Sequence, residues 1–125
     1  MSWGMNPRVE LLPDGIHIKL IDPLRFEDAK GTVWVAPSGF ESDGASIPWL
    51  AQIFIGSPLV GKYRRSAIIH DHYCVSKIRA SYRVHWAFFE GMLADDVRLS
   101  KAIAMWLAVA TFGPKFLGKK KEGSK

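Results

Sequence analysis

The chain contains a single cysteine, Cys74, in 125 residues. One thiol excludes an intramolecular disulfide and a zinc site built mainly from thiolates, so the sequence indicates a reducing compartment. No apolar core with a small-residue cleavage site follows Met1, and no run approaches the roughly 20 apolar residues of a transmembrane helix. We therefore expect a cytoplasmic protein without a transmembrane span.

The composition is that of an ordinary globular protein, with 48% hydrophobic and 23% charged residues. The length fits one domain, which we place at residues 1–114, followed by a basic C-terminal tail at 115–125. This tail holds five lysines of a chain whose net charge is +5. It is expected either to be a solvated end or to contact nucleic acid or anionic lipid.

The first third of the chain has the pattern of β-strands. Val9–Leu11 and residues 16–20 alternate apolar and polar side chains around Pro13-Asp14-Gly15, which predicts a hairpin. A β-rich run predicts a third strand at Thr32–Ala36, and Phe40–Ser42 adds a short fourth.

Helical periodicity begins near residue 60. It predicts helices at 61–78, 81–94 and 96–112, with Ser81 as a cap of the second helix. Asp95 and Asp96 lie at the positive end of the third helix, and Gly113-Pro114 ends it. Strands followed by helices predict an α+β fold, with a small N-terminal antiparallel sheet followed by three helices.

The third helix contains eleven almost wholly apolar residues, Ala102–Phe112. The favoured interpretation is a helix packed against the other two. The alternative is an interfacial helix, with Trp106, Phe112 and Phe116 in lipid and the tail lysines at the headgroups.

The densest chemistry is the pair His70 and Asp71 on the first helix. Their side chains diverge by about 100°, so each must have its own partner. A helical histidine can act as a general base, and the adjacent carboxylate can bind a cation. If the first two helices are antiparallel, His85 can join His70 with Asp71 or Asp43 in a metal site, although no metal-spacing motif is matched. The structural alternative is a buried, hydrogen-bonded pair.

A second motif is Asp43-Gly44-Ala45-Ser46-Ile47-Pro48. By spacing it is a turn, in which Asp43 or Ser46 caps a short helix starting at Pro48. Its functional interpretation requires Asp43 to fold back toward His70.

Two further residues near the pair are interpreted as structural. His72 lies on the more polar side of its helix and is expected at the surface. Cys74 lies on the apolar stripe, where it is expected to pack rather than to react.

The motifs Ser42–Pro48, Ala67–Asp71 and Phe88–Met92 resemble a family of small phage and prophage proteins, domain of unknown function 1353, over about residues 32–112. The resemblance implies a bacterial host cytoplasm during infection, or incorporation in the virion, and other phage proteins as partners.

The His-Asp step is also similar to the active helix of phospholipase A2 enzymes. That resemblance implies that His70 activates water and Asp71 binds calcium. Two positions depart from it, since His85 stands where an acid is expected and Cys74 where a tyrosine is expected. No glycine-rich calcium loop of the enzyme type precedes the helix.

Without that acid, the favoured function is a phage-derived virion-associated or accessory protein that acts through protein–protein contacts. No cofactor is expected for it. A phospholipase A2-like or metal-dependent hydrolase, with calcium or another divalent cation, is the alternative, and a membrane-surface protein is the second alternative.

If His70 and Asp71 form a buried structural pair, the contacts of both motifs and the stability of variants can be predicted. We expect His70 to face the second helix and Asp43 or Ser46 to lie within hydrogen-bond reach of the His70-Asp71 helix. His70→Ala and Asp71→Asn are then expected to lower stability, while His72→Ala is expected to be silent.

Overall fold

The protein has an α+β fold, as the order of its patterns predicts. The computed structural model describes residues 1–13, 17–42, 64–113 and 115–118. Within these ranges the strands precede the helices. The strands are β1 (Ser2–Trp3), β2 (Val9–Leu11), β3 (Ile18–Leu20), β4 (Leu24–Glu27), β5 (Val33–Ala36) and β6 (Glu41–Ser42), and the helices are α1 (Arg64–Ser76), α2 (Ser81–Ala94) and α3 (Leu99–Phe112).

The described strands form two antiparallel sheets of three strands rather than one small sheet. One has the order β1-β4-β5 and the other β2-β3-β6. The predicted hairpin is present as the β2–β3 pair, in which Val9 lies opposite Leu20. Residues 14–16 of its turn lie outside the described residues. The sequence patterns did not predict β1 and β4.

The main core fills the space between the strands and the first two helices. Leu24 and Phe26 of β4 are fully buried, and Trp34 of β5 is 1% exposed. Tyr73 of α1 closes this core, since its hydroxyl oxygen accepts the Val35 N–H at 3.0 Å and its ring meets Trp34 edge-on. Helix α1 is therefore fixed against β5, which determines where His70 points.

Helices α1 and α2 are antiparallel and approach closely at one end. Ser66 near the start of α1 lies beside Gly91 near the end of α2, while His70 further along lies beside His85. A Cβ atom at Gly91 would come within 2.6 Å of Ser66 Oγ, so only glycine allows this approach. The close contact brings the facing side chains of the two helices into direct reach.

The helix boundaries differ from the predicted ones in three places. Helix α1 ends at Ser76 because Lys77 has a positive φ of 56°. Ala80, not Ser81, is the N-cap of α2 and makes no side-chain capping bond. Helix α3 begins at Leu99 rather than Asp96, which has a φ of 63°.

Part of the predicted tail packs on the domain. Phe116 donates its N–H to Ser81 Oγ at 3.0 Å, and its carbonyl accepts the Ser81 N–H at 2.8 Å. This pairing explains why Ser81 does not cap its own helix. Gly118 has a φ of 90°, and a Cβ there would meet the Ala80 nitrogen at 2.8 Å. Within the described part of the chain, no helix is both long and apolar enough to cross a membrane.

Candidate functional site

His70 of α1 and His85 of α2 form a buried histidine pair. His70 Nε2 lies 2.8 Å from His85 Nδ1, and each residue is 2% exposed. At this distance one imidazole donates an N–H and the other accepts it. The prediction that His70 faces the second helix is confirmed.

The environment keeps His70 neutral. Burial, together with repulsion by the neighbouring His85, lowers the pKa of His70 from 6.5 to about 3. The ring of Phe88 lies 4.9 Å from that of His70 and contributes to this apolar environment. Near neutral pH the His70 imidazole therefore carries no charge, as a buried hydrogen-bonded brace requires.

Cys74 packs on the His70 ring and is not directed at either one of its nitrogens. Its Sγ is 3.7 Å from Nδ1 and 3.8 Å from Nε2 of His70. An atom that is hydrogen-bonded along the axis of one ring nitrogen would lie well away from the other ring nitrogen. The two nearly equal distances therefore place the sulfur beside the ring. The contact is of the sulfur–aromatic kind, which agrees with the packing role expected for Cys74.

The other predicted members of the site are only partly placed. Asp71 is half-buried on α1, next to His70 in the chain. Asp43, Ser46 and Pro48 lie outside the described residues, so their proximity to the helix stays a prediction. Among the residues that the structure describes, no three His, Cys, Asp or Glu side chains are grouped so that they would hold a metal ion. Calcium binding by Asp71 likewise stays a prediction.

The expected surface position of His72 is wrong. Its ring meets Phe40 and Tyr73 edge-on, at 5.0 Å in each case, and it is half-buried. Burial lowers the pKa of His72, and its Nδ1 has no hydrogen-bond partner among the described residues. Phe40, which directly precedes β6, covers this side of α1, and the helical periodicity alone could not show this contact. His72→Ala is therefore no longer expected to be silent.

An apolar groove of about 390 Å³ borders the histidine pair. His85 forms part of its wall, together with Trp106 of α3 and Phe116 of the docked C-terminal segment. Lys115 lies at the same groove and donates its ammonium to the Thr111 carbonyl at 2.7 Å. The sequence patterns missed this groove because residues 115–118 were assigned to a tail outside the domain.

These observations define a small α+β domain with a buried histidine pair between its first two helices. Residues 18–109 match the model of the family described as protein of unknown function, DUF1353. The chain belongs to that family, which agrees with the resemblance of its motifs.

Two proteins of Sinorhizobium fredii are similar to this chain. Uncharacterized protein y4jT is 42% identical over 96 residues, which are 77% of this chain and 29% of y4jT. Uncharacterized protein y4iH is 37% identical over 115 residues, or 92% of this chain and 47% of y4iH. The chain thus spans less than half the length of either relative. No solved structure matches it.

Proposed function

We propose that this protein is a binding module for another protein, in an accessory or virion-assembly role of phage origin. The observation that carries the proposal is the apolar outer surface of α3. Among the described elements, α3 packs chiefly on α2. It buries Ala102, Met105 and Val109 there, all at 3% exposure or less.

Leu99, Ile103 and Leu107 lie on a different flank of α3, spaced four residues apart, and are 57%, 39% and 50% exposed. A helix on the surface of a protein ordinarily has a polar outer side, and one that is apolar nearly all round is ordinarily buried. An apolar stripe of this kind typically marks a surface that another protein covers.

Aromatic side chains extend this apolar surface toward α2. The rings of Trp86 and Trp106 meet edge-on at 5.4 Å, and Trp86 is 45% exposed. Tyr82, one turn before Trp86, is 73% exposed. Tryptophan and tyrosine dominate the energetics of protein interfaces because they bury a large rigid area.

The histidine pair supports the same proposal. The buried pair, in which His70 is neutral, braces the α1–α2 scaffold that presents these side chains. The phage origin rests on the resemblance of the sequence motifs, and the identity of the neighbouring genes tests it.

Photo-crosslinking from α3 tests the binding function. With a photoreactive phenylalanine at Leu107 and the chain expressed from its own locus, we expect discrete adducts with a partner protein. Ile103→Glu should abolish them because it places a charge in the apolar contact. Circular dichroism should confirm that this variant is folded.

The matched control is the same photoreactive residue at Lys101, which is exposed on the opposite flank of α3. The proposal fails if Leu107 gives no adduct, or if Lys101 gives the same adducts as Leu107.

One observation favours a hydrolase as a second candidate. His85 borders an open apolar groove while its Nδ1 contacts His70, so a base oriented by a second imidazole adjoins a site for an apolar substrate. The resemblance of the His-Asp step to phospholipase A2 adds calcium at Asp71 as the implied cofactor.

Fatty-acid release from phospholipid, with and without calcium, separates the two candidates. A binding module should release none above the buffer blank. Calcium-dependent release that is lost in His70→Ala and His85→Gln, but kept in Val75→Ala, would replace our proposal with the hydrolase. Val75 is a suitable control because it is 67% exposed on the same helix as His70.

The membrane-surface alternative has less support. Trp106 packs on Trp86 and Phe89, and Phe116 packs on the main core, so two of the three side chains predicted to enter lipid are engaged within the fold.

A further inference from the structure

The groove beside His85 has the docked C-terminal segment as one of its sides. Tyr82 of α2 and Trp106 of α3 line the groove together with Lys115 and Leu117 of that segment. Its volume is about 390 Å³. Because residues 115–117 form one side, we call it the C-terminal groove.

The C-terminal segment is fixed in this position by its backbone. Phe116 exchanges two hydrogen bonds with Ser81, and Gly118 lies against the backbone of Arg79 and Ala80. Lys115 directly precedes Phe116 in the chain, so the fold itself holds Lys115 at the groove.

The charges at the C-terminal groove have one sign. Of the described residues that line it, none is acidic. Lys115 is exposed and donates to the Thr111 carbonyl, a neutral acceptor, so within the described ranges no carboxylate neutralises its charge. Lys77 is also exposed, and its ammonium lies 6.0 Å from the Phe116 ring. The sequence continues this positive charge, since residues 97–121 contain six cations and no acid.

Two arginines near the groove are not part of this charge excess. Arg79 and Arg83 lie over the Trp34 ring at 4.4 and 5.9 Å, and Arg83 interacts with Asp28. The cation that lines the groove is therefore Lys115, and Lys77 lies beside the same segment.

An exposed aromatic ring lines the groove together with Lys115. Tyr82 is 73% exposed and, within the described part of the chain, stacks on no other ring. A planar aromatic ligand can therefore stack on the Tyr82 ring.

We infer that the C-terminal groove binds single-stranded nucleic acid. A base stacks on Tyr82, the adjoining phosphate pairs with Lys115, and Lys77 adds to the attraction for the backbone. Sites for single strands combine a positively charged groove with aromatic side chains in this way. The inference goes beyond the proposed protein contact of α3 and does not depend on it.

An anionic membrane surface is the rival ligand, because cations beside an apolar side chain also bind it. Leu117 is 96% exposed and lies two residues after Lys115. A bilayer, however, takes up side chains that protrude, whereas Phe116 packs on the main core and Trp106 packs on Trp86. A strand can enter a concave groove and a flat bilayer cannot, so the shape of the site favours nucleic acid.

Fluorescence anisotropy of a labelled oligothymidylate of about 20 nucleotides tests the inference with the intact chain. We expect saturable binding by the wild-type protein at low salt. Tyr82→Ala should weaken binding at least about fivefold because it removes the stacking ring. Lys115→Ala should reduce the slope of the logarithm of the binding constant against the logarithm of the salt concentration by about 0.7, because one phosphate contact is lost.

Lys101→Ala is the matched control, since it removes the same charge at an exposed position on α3 that does not line the groove. It should bind the oligonucleotide with the affinity and salt slope of the wild type. Circular dichroism should confirm that all three variants are folded. Vesicles of phosphatidylserine and phosphatidylcholine should not displace the oligonucleotide.

Three results would overturn the inference: no binding of the oligonucleotide, equal weakening by Lys101→Ala and Lys115→Ala, or displacement of the oligonucleotide by the vesicles. Adducts from Leu107 report on the α3 surface alone. The protein contact and the nucleic-acid site can therefore fail independently of each other.

Discussion

His70→Ala is expected to lower the free energy of unfolding by about 2 to 4 kcal/mol. The change leaves a cavity in a closely packed region and leaves buried His85 Nδ1 without its partner. This loss is a large share of the margin by which a small domain is stable. Thermal and urea unfolding, followed by circular dichroism, measures it.

The same pair predicts a dependence on pH. The pKa of His70 is about 3 in the folded protein and 6.5 in the unfolded chain. Above pH 6.5 both states are neutral at this residue. Between that value and about 3, the unfolded chain binds a proton that the folded protein does not, so stability falls as the pH falls, by up to about 1.4 kcal/mol per pH unit. His70→Phe removes this group and should reduce the slope of that part of the profile, while His72, whose pKa burial also lowers, keeps its own contribution.

Two comparisons keep the prediction specific. Val75→Ala on the same helix should unfold within about 0.5 kcal/mol of the wild type, because Val75 is largely exposed. The pKa of Asp28 is lowered in the folded protein, so protonation of Asp28 at still lower pH should destabilise wild type and His70→Phe alike. If His70→Ala melts like Val75→Ala, the brace is disproved and a preserved active site becomes the better explanation of the pair.

The second large effect is expected at Trp34, which is 1% exposed at the centre of the main core. Trp34→Ala should cost about 3 to 5 kcal/mol because it removes the largest fully buried side chain among the described residues and leaves a cavity. It also frees Asp28 Oδ2 and removes the ring beneath Arg79. Denaturant unfolding measures the loss, and exchange of β5 amides should locate it.

Trp34→Phe separates the contribution of apolar packing from that of the indole hydrogen bond to Asp28. It keeps most of the apolar volume but loses the indole N–H, so we expect an intermediate cost of about 1 to 3 kcal/mol. Equal losses in the two variants would mean that the hydrogen bond to Asp28, and not packing, dominates at this position.

The fold was predictable where a pattern is local and strong. Helix α2 ends at Ala94 as predicted and begins at Ser81, its predicted cap, because apolar residues recur on one wide face between clear interruptions. Strand β1 has only two residues, too few to show a period, and depends on its pairing with β4. Strand β4 has the alternation typical of a strand, with Leu24 and Phe26 buried, so a local pattern for it is present in the sequence.

The site was predictable only in part. Adjacent helices joined by a short turn run antiparallel, which sufficed to bring His70 and His85 together. The position of His72 against Phe40, and of Phe116 against Ser81, depends on contacts between segments distant in the chain. No periodicity within one segment reports such contacts, and so the groove beside His85 was not foreseen.

The docking of Phe116 on Ser81 has a consequence for cooperativity. Its two backbone-mediated hydrogen bonds join residues 35 positions apart and so close a loop that contains α2 and α3. Once the loop is closed, fraying of the end of α3 must break contacts at the start of α2. The two helices should therefore open as one unit in hydrogen exchange, with amide protection nearly uniform across both.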